Sequence, residues 1–343
     1  MFRSQKTPGH NPINPHKPMS RRILALVAVC GLAACDEGPT FIETGPPPVA
    51  EIPAGPYLPG ASYFGRGQYI EYIAGDLPLI FTAPHGGSQN PGEITDRTAS
   101  RCGGTAVIGI DTNTQELARA IRDAFFERTG KYPHVIINRL HRRKLDANRA
   151  ALEAACGDPE AEVAWQEFHE FIAIAKNRVQ TDFGRGWFTD LHGHGHSVAR
   201  LELGYRLSAA ELRLADATLD GDPAFEAKSS FRTFSAASPR SFSGALRGAG
   251  ALGTLLGQAG YRAVPSAQDA APAEAEAYFT GGYNVGRHGC ADGGSICGVQ
   301  IEHHADVRIN ALERSKYTAA LAAIYEVFLA DNFGLTLPLS NRP

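Results

Sequence analysis

The chain has 343 residues and a formal net charge of −3, with 33 Lys and Arg against 36 Asp and Glu. Charge so nearly balanced gives no electrostatic reason to expect a nucleic-acid partner, so whatever this protein binds must be recognised locally. No internal repeat is visible.

Residues 1–18 are polar and proline-rich, and Met19-Ser20-Arg21-Arg22 then leads into an apolar run over 23–34 that is too short to span a bilayer. Met19 is the expected true start. Leu32-Ala33-Ala34-Cys35 places small residues before a cysteine, which resembles a bacterial lipoprotein signal. The resemblance implies cleavage before Cys35 and a lipid on it, anchoring the mature chain on the periplasmic side of the envelope. Asp36 in the next position favours the inner membrane slightly. Residues 35–60 are rich in Pro, Gly and Thr and predict an extended tether, leaving 61–337 for a single catalytic domain.

Four cysteines remain outside the leader and the lipid site: Cys102, Cys156, Cys290 and Cys297. In an exported protein an even number suggests two disulfides. Closeness in sequence favours Cys290 with Cys297, which leaves Cys102 with Cys156. No CxxC spacing supports a zinc site built from the four thiolates.

Strand and helix signals alternate from residue 68 onward. Runs over 68–73 and 79–82 predict strands. Leu117, Ile121, Ala124 and Phe125 share one face of a helix over 112–129 that Gly130 is placed to end. A buried strand follows at 134–138. Asp158-Pro159 then opens a helix whose Ala164, Phe168, Phe171, Ala175 and Val179 line up. Strands are predicted at 186–189, 201–207, 261–264 and 296–302, an irregular serine-rich insertion at 221–244, a glycine-rich helix at 245–258, and a final helix through Tyr317, Leu321, Ile324 and Phe328. The alternation argues for an α/β fold, a mostly parallel mixed sheet with helices on both faces.

The chemistry gathers at strand ends. His192, His194 and His196 follow Asp190 at the end of one strand, His85 follows another, and Glu302 tips the last. Two imidazoles and an oxygen ligand would hold zinc with one position open, and a nearby aspartate can fix a histidine tautomer from behind. His192 is the expected ligand of the three neighbouring histidines, since a site needs few ligands from one segment. His303 and His304 are expected outside the ligand set. Alternation along 296–302 lets Glu302 face the site while its neighbours pack, a placement suited to a general base. Residues 138–149 hold five cations. Among them Asn148-Arg149 is suited to clamping a carboxylate, and Arg139 and Arg142 are near enough in sequence to serve the same anion.

Pro84-His85-Gly86-Gly87, the Asp111 helix, Asp146-Ala147-Asn148-Arg149, Asp190-Leu191-His192-Gly193, Phe279-Thr280-Gly281-Gly282-Tyr283 and Val299-Gln300-Ile301-Glu302 stand in an order that resembles N-formylglutamate amidohydrolase-like proteins. That resemblance implies a zinc carboxypeptidase-like, or phosphorylase/hydrolase-like, fold. It also implies zinc on His85 and His192, substrate held by Asn148 and Arg149, and Glu302 as base. The carboxypeptidases carry a glutamate three residues after the first histidine, where this chain has Ser88. Glu93 is the expected third ligand, with Asp96 and Asp111 as alternatives. Tyr283, in a glycine-rich loop, is expected to contact substrate.

The expected activity is zinc-dependent hydrolysis of an amide next to a free carboxylate, in an N-acyl amino acid or a peptide-like substrate. A cell-wall or γ-glutamyl peptide carboxypeptidase and a carboxylate-binding lipoprotein without turnover are the alternatives. The oligomeric state is not assigned.

Overall fold

In the computed structural model, which describes residues 48–340, the alternating short and long apolar segments become one eight-stranded mixed sheet with flanking helices. The strands are β1 (Ser62–Phe64), β2 (Ile70–Ile73), β3 (Leu79–Ala83), β4 (His134–Asn138), β5 (Gly186–Gly193), β6 (Leu201–Gly204), β7 (Ala263–Val264) and β8 (Ile296–His303), in the order β1-β2-β4-β3-β5-β8-β6-β7. β4, β3, β5 and β8 run parallel in the middle. β1 and β2 form an antiparallel margin on one side, and β6, antiparallel to β8, brings β7 in parallel on the other.

Four helices matter for the site: α1 (Thr114–Thr129), α2 (Pro159–Phe183), α3 (Tyr283–His288) and α4 (Ala311–Phe333). Because successive strand residues point to opposite faces, the central strands feed two separate cores. Phe81, Val135 and Trp187 pack with Leu117, Ile121 and Phe125 of α1 and Leu321 and Phe328 of α4. Their neighbours Ile80, Ile136 and Phe188 pack with Phe168, Phe171 and Val179 of α2. Each such large side chain contributes about 1.5–3 kcal/mol on burial. Both faces of the sheet are thereby covered, which commits the polar residues to the strand ends.

Local signals explain the helix limits. Asp158 accepts the backbone N–H of Ala161, Pro159 stands at the first helical position, and Gly184 closes α2 in the left-handed conformation at φ 71°. Gly130 ends α1 in the same way. The expected irregular stretch at 221–244 is instead a chain of six-residue helices, Pro223–Lys228, Arg232–Ala237 and Phe242–Arg247 among them. Each is too short for helical periodicity to show. The helix expected at 245–258 is interrupted after Arg247, at Gly248-Ala249-Gly250, and resumes at Leu252–Gln258.

Both disulfides pair as expected, Cys102 with Cys156 and Cys290 with Cys297. Residues 48–60 form no regular element, and Ile52 and Tyr57 pack against the α2 core. Among the described residues no helix is long and apolar enough to cross a membrane. The leader, the start at Met19, the lipid site at Cys35 and the tether before residue 48 lie outside the described residues.

Candidate metal centre

Parallel pairing delivers the ends of β3, β5 and β8 to one edge of the sheet. In the β5–β8 register Asp190 stands beside Gln300 and His192 beside Glu302. Residues two apart on a strand share a face, so these four form a polar patch at the edge. Pro84 turns the chain out of β3 and presents His85 to the same place. The two imidazole rings lie 4.7 Å apart, inclined at 71°.

Each imidazole is held from behind. His85 donates through Nε2 to Asp146 Oδ1 at 2.6 Å, and His192 donates through Nε2 to Asp190 Oδ2 at 2.8 Å. Both Nδ1 atoms are thereby turned toward one carboxylate oxygen, Asp111 Oδ2, at 3.4 Å from His85 and 3.1 Å from His192. His85 Nδ1 is buried without a hydrogen-bond partner. A ligating histidine characteristically donates its other ring N–H to a carboxylate, so this arrangement leaves the lone pairs that a cation needs. Ligand atoms of His85, Asp111 and His192 all lie within 4.8 Å of one another, and the cluster is compatible with a metal ion. Two imidazole nitrogens and one carboxylate oxygen suit zinc.

The electrostatics of the protein alone show a demand for positive charge at this edge. Burial works against the charged forms of both Asp111 and His192. Their mutual bond, with Asp190 acting on His192, outweighs it, holding Asp111 well below the usual carboxylate range and His192 well above the ordinary imidazole value. Asp146 is also buried, and its pKa is lowered despite that by His85, Arg142 and Arg97. Burial pushes Glu302 up to about 7, with Asp111 and Glu202 adding to the rise and His192 opposing it. So many acids in one dry edge call for positive charge.

The carboxylate that the structure brings beside the two histidines is that of Asp111, one of the two alternatives, and not that of Glu93. The segment carrying Glu93 runs beside 139–143, through bridges of Gly87 to His141 and Gln89 to Leu140 and the bond from Arg97 N–H to Arg143 O. That path leaves Glu93 exposed, bonded to the hydroxyl of Tyr69. Asp96 pairs with Lys144 at 2.7 Å. Asp111 does not cap α1 with its side chain. Its backbone carbonyl accepts from Thr114, and its carboxylate takes the N–H of Gly193 at 3.1 Å. Arg308 ties that loop to β8, donating to the carbonyls of Thr112 and His303.

The centre opens into a cavity of about 260 Å³ that Asn148, Arg149, Tyr283, Gln300 and Glu302 help to line. Arg149 is exposed, its Nε 3.8 Å from Asp146 Oδ2. Asn148 is buried between His192 Nε2, at 3.2 Å, and the backbone N–H of Asn284, which its Oδ1 accepts at 2.7 Å. Gly282 must be glycine for this approach, because a Cβ there would stand 2.4 Å from Asn148 Nδ2. Its N–H donates to Gln300 Oε1 at 2.7 Å, and Gln300 Nε2 donates to Glu302 Oε1 at 2.9 Å. The glycine loop thus orients Gln300, which in turn orients Glu302.

Arg139 does not line the cavity. Its guanidinium donates to Gln68 O at 2.9 Å and lies over the ring of Phe64, because the end of β4 runs along the β1–β2 margin. Arg142 lines the cavity, donating through Nε to Asp146 Oδ2 at 3.0 Å. His194 and His196 stand apart with Glu202 in a second cluster. His303 is buried between His192 O and Tyr317 Oη. Asp146 and Gln300 were not singled out as site residues in the sequence, although both stand inside motifs quoted there, two positions from Asn148 and from Glu302.

No family model matches the chain, and no curated protein matches it. Among solved structures it is similar to N-formylglutamate amidohydrolase from Ralstonia eutropha JMP134, at 15% identity over 78% of this chain and 99% of that one, with a TM-score of 0.46. It is also similar to a gene product from Agrobacterium tumefaciens, at 13% identity over 76% and 95% of the two chains, with a TM-score of 0.41.

Proposed function

We propose that the protein is a zinc-dependent amidohydrolase cleaving an amide bond next to a free carboxylate, in an N-acyl amino acid or peptide-like substrate. One observation carries the reading. Two imidazoles, each pinned through Nε2 by its own aspartate, turn Nδ1 toward Asp111 Oδ2, with Glu302 abreast of His192. His85, Asp111 and His192 would hold the ion, and zinc there supplies electrophilic polarisation and makes water nucleophilic at neutral pH.

The chain's own groups divide the remaining work. Glu302, raised toward neutrality and held at Oε1 by Gln300, accepts the proton of the attacking water and passes it to the departing nitrogen. The exposed guanidinium of Arg149 offers a planar fork to the substrate carboxylate, Asn148 fixes orientation, and Tyr283 closes one side. The order of the six sequence motifs supports an N-formylglutamate amidohydrolase-like enzyme of zinc carboxypeptidase-like fold. The lipoprotein signal supports a periplasmic, lipid-anchored location. That location favours a cell-wall fragment or an imported peptide over a cytosolic metabolite.

The test is metal analysis of the purified chain together with a panel of N-acyl amino acids and short γ-glutamyl peptides. About one equivalent of zinc is expected, with turnover that Glu302→Gln removes while the zinc stays. Zinc-free protein that binds carboxylates tightly would make it a binding lipoprotein instead.

A further inference from the structure

A second cavity, of about 700 Å³, lies beside the candidate centre. Trp165, His169 and Lys176 of α2, Arg287 and His288 of α3, and Ile52 of the N-terminal segment line it. The two cavities share a wall. Tyr283, which lines the first, has its ring 5.7 Å from His169 and 6.4 Å from Trp165, and Trp165 Nε1 donates to the backbone carbonyl of Arg149 at 2.9 Å.

The second cavity is lined by two cations without a close carboxylate partner among the described residues, Asp292 acting on Lys176 only from beyond salt-bridge distance. Lys176 Nζ donates to His288 O at 2.9 Å, and the Arg287 guanidinium lies over the rings of Trp165 and Tyr283 while donating to Tyr283 Oη at 2.9 Å. Among the described residues, the salt bridges within 4.0 Å include neither cation, although Glu170 also lines the cavity. His169 is 4% exposed; its Nδ1 shares a 2.8 Å bond with His288 Nε2, and its Nε2 is buried with no partner. Apolar surface from Ile52, Ala173 and Trp165 stands alongside.

We propose that this cavity is an anion-binding subsite for a distal carboxylate of an extended, acidic peptide-like substrate whose scissile amide lies at the His85, Asp111 and His192 centre. The inference rests on the hydrolase reading and narrows its substrate class. Lys176 and Arg287 hold the carboxylate, and Trp165 packs against the aliphatic part of the peptide.

The experiment compares two tripeptides, Glu-Ala-Ala and Gln-Ala-Ala, which differ in one charge at nearly constant shape. On the full chain with zinc, kcat/KM should favour the acidic peptide about tenfold, the scale of one charge-assisted contact. Lys176→Met and Arg287→Met should each bring that ratio toward one. Equal turnover of both peptides, or a ratio that both substitutions leave intact, would overturn the subsite. A second readout is independent of catalysis. Of the two tryptophans, Trp187 is buried in the core, so an emission change that Trp165→Phe abolishes reports this cavity. Saturable change with Glu-Ala-Ala but not Gln-Ala-Ala, in protein that hydrolyses neither, would keep the subsite and remove the hydrolase reading. No change with either peptide would remove the subsite.

Discussion

Two clusters of two histidines and a carboxylate sit a few residues apart, and they differ in what their ring nitrogens have left to give. In the first, His85 and His192 spend Nε2 on Asp146 and Asp190 and keep Nδ1 facing Asp111. In the second, His194 donates through Nε2 to Arg200 O at 2.8 Å, while its Nδ1 accepts the N–H of His196 at 3.1 Å. Glu202 there is taken up by His196, by the N–H of Phe279 and by Arg200, whose Nε stands 3.6 Å away. The residue types are the same in both. What separates them is the use of the ring nitrogens, since each carboxylate has a guanidinium near it, Arg142 Nη1 3.8 Å from Asp111 Oδ1 and Arg200 beside Glu202, but only in the first cluster do both histidines turn Nδ1 toward one carboxylate oxygen.

The largest expected effect would break that comparison outright. Asp111→Asn or His192→Ala should lower bound zinc to below about a tenth of an equivalent and activity by about 10³-fold or more, the loss of several kcal/mol of transition-state stabilisation. His194→Ala should leave the zinc content as it was. Metal analysis of the three variants decides it, and equal zinc loss from His194→Ala would show that the clusters act as one.

Next in size, Glu302→Gln should keep zinc and cost about 10²–10⁴ in kcat, whereas Glu202→Gln, its neighbour across the β6–β8 pairing, should cost far less. Steady-state kinetics on zinc-loaded protein separates them. Comparable losses in kcat would move the base or spread its role over both acids.

Asp146→Asn should weaken zinc affinity about 10–100-fold by loosening His85 from behind. A competition titration with a chelator measures this. Unchanged affinity would mean that Asp146 answers only to Arg142 and Arg97.

The smallest effect concerns a buried imidazole outside both clusters. Burial pulls His134 down to about 3, and its Nδ1 already accepts from Tyr72 Oη and Gly75 N–H, so protonation would break both bonds. Unfolded, the same imidazole titrates near 6.5, and the unfolded chain therefore binds the extra proton between those values. Its contribution is fully present above about pH 6.5 and is lost as pH falls toward 3, amounting to about 1 kcal/mol between pH 7.5 and 5.5. Urea unfolding at the two pH values should show the difference, and His134→Gln should shrink it. An unchanged difference in the variant would assign it to other groups.

Much of the architecture was legible because it rests on local rules. Period-2 and period-3.6 patterns marked the central strands and the long helices, and Asp158-Pro159, Gly130 and the even cysteine count each carried a local meaning. The six-residue helices after residue 215 escaped, since fewer than two turns leave no periodicity to read. His85, His192 and Glu302 could be singled out because each ends a strand next to glycine or a run of polar residues. Asp111 could only be kept as an alternative, since its selection over Glu93 is a matter of where two loops of similar composition go.

What the amino-acid order determined by itself was the set of strands, their alternation, and hence which polar side chains stand at strand ends rather than in the cores. The tertiary structure alone decided which carboxylate stands beside His85 and His192, that Arg142 rather than Arg139 lines the cavity, and that His194 and His196 spend their nitrogens elsewhere. The reason is physical: pattern along a chain reports which face a side chain is on. The hydrogen bonds that occupy one ring nitrogen and turn the other toward the centre come from segments as much as 61 residues apart in the chain, and they exist only once the sheet has gathered them.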